Sequence, residues 1–155
     1  MAYYKCGAGK VAPEYLTFYQ YTGSSLDISW LDPSKLTTLA RLFYDCPNLA
    51  SLDMSNFTDV SATNLSMMFY GCSSLTSLDL QNLNVSPTNV GTMFKMCYSL
   101  LYLDISSMSF DNVGETSYGG MFSGVPFGCT ILVKDAAAQS WLSSKFPDYT
   151  FTIKS

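Results

Sequence analysis

"MFYGCSSLTSLDL", residues 68–80, places a Phe, a Cys and three Leu among small polar side chains. The Cys stands three residues after the Phe, and a Leu-Asp begins six residues after the Cys. The same arrangement recurs. Leu-Asp begins at Leu26, Leu52, Leu78 and Leu103, at spacings of 26, 26 and 25 residues. Leu42-Phe43, Met68-Phe69, Met93-Phe94 and Met121-Phe122 follow in step. Cys46, Cys72 and Cys97 keep their place three residues after the first three Phe. In the fourth copy Val125 takes that place and a Cys comes later, at Cys129. A period of 20 to 29 residues with Leu at fixed offsets predicts a leucine-rich-repeat solenoid.

One copy shows why. In "LASLDMSN" Leu49, Leu52 and Met54 fall on the inward side of an extended segment, and Ser51, Asp53 and Ser55 on the other. In "FTDVSATNLSMMFYGC" the period changes: Leu65, Met68, Phe69 and Cys72 are spaced as one helical stripe. Ser61, Ser86 before Pro87, and Asp32 before Pro33 are candidate N-caps. The expected fold class is therefore an α/β repeat. Short strands line a concave face, helical turns the other, and stacking closes one continuous core. The Cys of each copy belongs to the inward stripe, because a free thiol is a small apolar body that is commonly buried. Five Cys with no C-x-x-C pair argue against a structural zinc site, and one disulfide between neighbouring copies stays open.

Three parts are expected in one domain. Residues 1–25 form an N-terminal cap, residues 26–133 about four repeats and a last strand, and residues 134–155 a C-terminal helical cap. In the first, "EYLTFYQY" alternates like a strand, with Tyr15, Thr17, Tyr19 and Tyr21 on one side. In the last, Asp135 caps a helix from Ala136 to about Phe146 with Ala138, Trp141, Leu142 and Lys145 on one stripe. Pro147 stops it, and "YTFTI", residues 149–153, alternates like a strand.

Composition narrows the function. An apolar share of 48% over 155 residues builds a real core. A net charge of -4 without a basic cluster speaks against nucleic acid. The absence of His removes the commonest general base and every Ser-His or Cys-His dyad. No apolar run reaches the roughly 20 residues of a membrane span, so no membrane insertion is expected. The opening "MAYYKCGAGKVAPEY" does not read as a signal peptide. That fits a removed signal, a piece of a larger chain or assembly, or another export route.

The strands of such an array stack about 4.8 Å apart. Asp27, Asp53, Asp79 and Asp104 then form an outward carboxylate ladder, flanked by Ser51, Ser77 and Tyr102 and by Gln81. These eight residues are the candidate binding face. Three roles compete for the Asp: hydrogen bonding at the strand end, recognition of a basic or polyhydroxylated partner, or acid and nucleophile in a glycan hydrolase. Tyr44 and Tyr70 are candidates on the opposite side. No catalytic residue, metal site or cofactor is expected.

"CSSLTSLDLQNLNVSPTNVGTMFKMCYSLLYLDIS", residues 72–106, resembles the BspA-like leucine-rich repeats in the variant with Met-Phe before the Cys. The likeness covers roughly residues 26–133; the fourth copy departs from it, being longer and carrying "SYGG". That family occurs in bacterial surface proteins and phage tail-associated proteins. The resemblance implies a non-enzymatic recognition or adhesion module that is extracellular, at the cell surface or on a virion, with a protein or carbohydrate receptor. A structural spacer in a larger assembly is the alternative.

Overall fold

The computed structural model describes residues 16–155. Strands are short: β1 (Ser25–Leu26), β2 (Ser51–Leu52), β3 (Ser77–Asp79), β4 (Tyr102–Asp104), β5 (Thr130–Val133) and β6 (Phe151–Ile153). The one α-helix among the described residues is α1 (Ala136–Lys145), and Pro33–Lys35 form a 3-10 turn. All pairings are parallel and join like positions of successive copies: Ser25 with Ser51, Leu78 with Leu103, Leu103 with Ile131. The strands fall into two sheets, β1-β2 and β3-β4-β5-β6, so the strand ladder is interrupted between the second and third copies.

The segments expected to be helical turns take a different form. Within each copy short i to i+3 bonds run, such as Met68 N–H to the Leu65 carbonyl and Cys72 N–H to the Phe69 carbonyl. The alternate N–H groups point along the stack instead. Leu65, Met67, Phe69 and Gly71 donate to the carbonyls of Asn89, Gly91, Met93 and Lys95 in the next copy. A helix would direct every N–H to its own chain four residues back. Here half leave the copy, which requires left-handed residues at intervals of four. Arg41 and Asp45, Met67 and Gly71, Thr92 and Met96, and Gly120 and Gly124 all have positive φ. The result is a second parallel ladder, made of turns. Ser61 and Ser86 consequently cap no helix, while Asp32 does cap the Pro33–Lys35 turn, accepting from Ser34 N–H at 3.1 Å.

The N-terminal segment also differs from the expected alternating strand. Phe18 and Gln20 N–H donate to the carbonyls of Leu42 and Tyr44, and Gln20 has φ +53. Residues 16–21 are thus a further turn segment of the same kind, with Phe18-Tyr19 in the place of Phe43-Tyr44. Tyr15 lies outside the described residues.

Between the two ladders runs the core. Phe18, Phe43, Phe69, Phe94 and Phe122 stack in a column with ring centroids 5.4–5.8 Å apart and planes within 15°. The thiols of Cys46, Cys72 and Cys97 lie beside it and donate to the carbonyls of Phe18, Phe43 and Phe69 at 3.3, 3.2 and 3.2 Å. The four described cysteines, Cys129 included, are free thiols. Burial pushes the Cys97 thiol up to about 12 and raises Cys129 to about 11. Polar side chains also join copies: Asn56 Nδ2 donates to both the Ile28 and Leu31 carbonyls at 2.9 Å.

The C-terminal end follows the expectation closely. Asp135 accepts from Ala138 N–H at 2.9 Å and caps α1, whose buried residues are Ala138 and Leu142, with Trp141 packed on the core. Phe146, Tyr149 and Phe151 close over Phe122, the last ring of the column, at 5.0, 5.3 and 5.8 Å.

Candidate functional site

On the strand side each Asp of the expected ladder holds the same local geometry. Its Oδ1 accepts the N–H of the residue two further on: Ser29 for Asp27, Ser55 for Asp53, Gln81 for Asp79 and Ser106 for Asp104, at 2.9–3.0 Å. This is the side-chain turn that Asp forms readily where a strand ends. Ser29 adds its hydroxyl at 2.7 Å. Hydrogen bonds from Ser29 hold the Asp27 carboxyl below its ordinary range, and those from Ser55 do the same for Asp53.

The four Asp do not make one outward row. Asp27, Asp53 and Asp79 are exposed, as are Ser51, Ser77 and Gln81, and Tyr102 is half-buried. Asp104 is 0% exposed. The C-terminal segment after β6 brings Lys154 across the sheet, and its ammonium covers Asp104 Oδ2 at 2.5 Å while also reaching Gln81 Oε1 at 2.9 Å. Asp104 is therefore a structural ion pair and not an outward binding group. Burial alone raises its carboxyl, and the bonds from Lys154 and Ser106 outweigh that and leave it lowered. Burial and the neighbouring Asp104 raise the Tyr102 phenol.

What remains open on this side is the first two copies. Ser25, Leu26, Asp27, Ser51, Leu52 and Asp53 line a shallow groove of about 410 Å³. Its floor is the half-buried Leu26 and Leu52, and its rim is hydroxyl and carboxylate. Both bonds from Ser29 go to Oδ1 of Asp27, which leaves its Oδ2 facing the groove, and Asp53 is held by Ser55 in the same turn.

On the turn side Tyr44 and Tyr70 stack at 4.9 Å, and Tyr19 continues the column at 5.6 Å from Tyr44. Arg41 and Lys95 sit over the Tyr44 and Tyr70 rings at 5.9 Å. Thr17, Tyr19, Arg41 and Tyr44 border a cleft of about 370 Å³. Tyr19 thus lies in the tyrosine column and not in the alternating cap strand that the sequence pattern predicts. The signal that places it here is the Phe-Tyr pair itself, repeated at residues 18–19, 43–44 and 69–70. Among the described residues no cluster of three or more His, Cys, Asp or Glu is arranged to hold a metal ion. No helix there is long and apolar enough to cross a membrane.

Fold and site together define a protein built by laying like copies of one sequence unit on one another in parallel register. The chain belongs to the family described as Mycoplasma protein of unknown function, DUF285, whose model matches residues 15–128. No curated protein matches the chain. No solved structure matches it either.

Proposed function

We propose that the chain is a leucine-rich-repeat solenoid of the BspA-like kind. In this reading it serves as a non-enzymatic recognition or adhesion module outside the cell, on a bacterial surface or a phage tail. Its receptor is a protein or a glycan held on the strand face. The resemblance of residues 72–106 to those repeats supports the setting. The observation that carries the site is the groove between the first two copies. There Asp27 and Asp53 are each held in place by a bond to Oδ1 and are exposed on the groove's rim to a donor from outside. Acceptors fixed before binding lose little freedom when a partner arrives. A polyhydroxylated or cationic ligand supplies the donors, and Leu26 and Leu52 supply apolar contact.

A hydrolase that uses paired Asp is disfavoured by the same bonds. A general acid needs a raised carboxyl, and Asp27 and Asp53 are both lowered. The structural-spacer reading draws support from the third and fourth copies, where Lys154 ties up Asp104 and Gln81.

Asp27→Asn with Asp53→Asn tests the site, because Asn keeps the Oδ1 acceptor and removes the charge. Binding to bacterial cells, a glycan array or a host-protein array is expected to fall while Tm stays the same. Binding that survives this pair but is lost in Tyr44→Ala with Tyr70→Ala moves recognition to the tyrosine column. An unaltered chain that binds none of these surfaces favours the spacer.

A further inference from the structure

The turn ladder has an unfinished edge. In its three inner rows the N–H groups of four alternate residues meet carbonyls of the next copy. The rows begin at Leu39, Leu65 and Val90, and the distances are 2.6–3.1 Å. The fourth row, in the same phase, is Tyr118, Gly120, Phe122 and Gly124. These four N–H groups have no acceptor among the described residues, although Phe122 itself is buried. They open onto a cleft of about 460 Å³, bordered on its far side by Phe127, Lys145, Phe146, Asp148 and Tyr149. The strand ladder has no such gap, since β6 continues it for one more strand.

Gly120 and Gly124, at φ +66 and +92, hold the left-handed positions that Thr92 and Met96 hold in the preceding copy. A Cβ on either would meet that copy, at Thr92 Cγ2 (3.3 Å) and at the Tyr98 ring (2.8 Å). A Cβ on Gly119, which also lines the cleft, would meet nothing within 4 Å. Phe127 is 68% exposed at the rim, with its ring 5.3 Å from Tyr149.

We propose that this edge docks an extended peptide segment of a partner protein. The segment's main-chain carbonyls, taken two residues apart, pair with the N–H groups of Tyr118, Gly120, Phe122 and Gly124, and an aromatic or apolar side chain rests on Phe127 and Tyr149. Three arguments select that occupant. Every complete row among the described residues is filled by main-chain carbonyls of alternate residues, so the spacing of the donors already matches a peptide. Lys145 and Asp148 on the far wall offset each other, so the cleft carries no net charge and suits neutral carbonyls better than a phosphate or sulfate. A whole coil of a second copy does not fit flat, because Phe146, Tyr149 and Phe151 already cover the end of the phenylalanine column. Addition of one extended segment to an open edge is a recurrent mode of peptide recognition, in which the main chain gives affinity and side-chain pockets give selectivity. The inference is independent of the strand-face reading.

The test uses the full chain, a displayed library of random linear peptides and amide-resolved hydrogen exchange. In the free protein the amides of Gly120, Phe122 and Gly124 are expected to exchange fast while those of Thr92, Phe94 and Met96 are protected. An enriched peptide is expected to slow exchange at the first three. Gly119→Trp, which fills the cleft, is expected to weaken that peptide at least about tenfold, or 1.4 kcal/mol. Gly128→Trp, whose new Cβ also meets nothing within 4 Å but which lies outside the cleft lining, is expected to leave binding unchanged. Protection of Gly120, Phe122 and Gly124 already in the free protein overturns the proposal. So does protection that appears only as protein concentration rises, which assigns the edge to a second copy. Failure to enrich any peptide above the Gly119→Trp background overturns it as well.

Discussion

Lys154 Nζ lies 2.5 Å from Asp104 Oδ2, so the residue that follows β6 neutralises a carboxylate that the fourth copy has buried completely. The pair joins the segment after β6 to the interior of the sheet, and Gln81 Oε1 accepts a second hydrogen bond from the same ammonium. Removing one partner of such a pair leaves the other charge desolvated, which is the main source of loss. Lys154→Met is expected to lower Tm clearly, and Asp104→Asn in that background to restore part of it. Equal and additive losses in a double-mutant cycle contradict the coupling.

The pH dependence follows from the same carboxyl. Asp104 is lowered in the folded state, so its stabilising contribution is present above the unfolded value of about 3.9 and is lost as pH falls through the folded value. Lys154 is raised by Asp104, so its contribution is lost only as pH rises above the ordinary lysine range of about 10.4. Melting scans are expected to show Tm falling below about pH 4, with a shallower fall in Asp104→Asn.

The phenylalanine column is the spine of the core. Phe69 stacks between Phe43 and Phe94 at 5.4 and 5.8 Å and is fully buried. Phe69→Ala is expected to cost about 3–5 kcal/mol in urea unfolding. A loss below about 1 kcal/mol would show that neighbouring rings collapse into the space.

Cys46, Cys72 and Cys97 are expected to resist thiol reagents in the native protein and to react once it unfolds. The hydrogen bond with Cys46 and then burial keep Cys72 protonated, burial does so for Cys97, and the thiolate is the reactive form. Reductant is expected to change neither the labelling count of these three nor the mobility of the native protein. Rapid native labelling of Cys72 refutes the column geometry.

Thr92 is the position most at odds with its residue. It is β-branched at φ +52, and its Oγ1 is buried without a partner among the described residues. The left-handed conformation costs an L-residue roughly 1–2 kcal/mol, while Gly adds roughly 0.5–1 kcal/mol of chain entropy to the folding cost. Thr92→Gly is expected to stabilise by about 1 kcal/mol, the unpaired hydroxyl adding to the gain. The reverse change at Gly71, to Ala, brings a Cβ within 3.2 Å of the Asp45 backbone and is expected to destabilise. Thermal melts that order these two variants the other way contradict the left-handed assignment.

The repeat phase was legible in the residues alone. Leu26, Leu52, Leu78 and Leu103, and Phe43, Phe69, Phe94 and Phe122, stand at near-constant intervals, and a side chain that must meet its own counterpart in the next copy can stand nowhere else. So was α1, because Asp135, a run of Ala and Pro147 are local signals that act within a turn of where they stand. The turn segment was not legible. Leu65, Met68, Phe69 and Cys72 have helical spacing because i to i+3 turns and α-helices place side chains alike over so short a span. What separates the two is the destination of alternate N–H groups, and that lies about 25 residues away in the next copy. Residues 16–21 were missed as a further such segment because they lack the Cys and the Leu-Asp that mark the others.

The candidate site divides in the same way. The turns at Asp27, Asp53 and Asp79 are set by residues two positions on, so sequence carries them. Asp104 has the same neighbours and the same turn, yet it is buried, because Lys154 comes from 50 residues away. Local hydrogen bonding is written into adjacent residues. Exposure depends on which distant segment covers a side chain, and only the tertiary structure decided that for Asp104 and for the bare edge at Gly120 and Gly124.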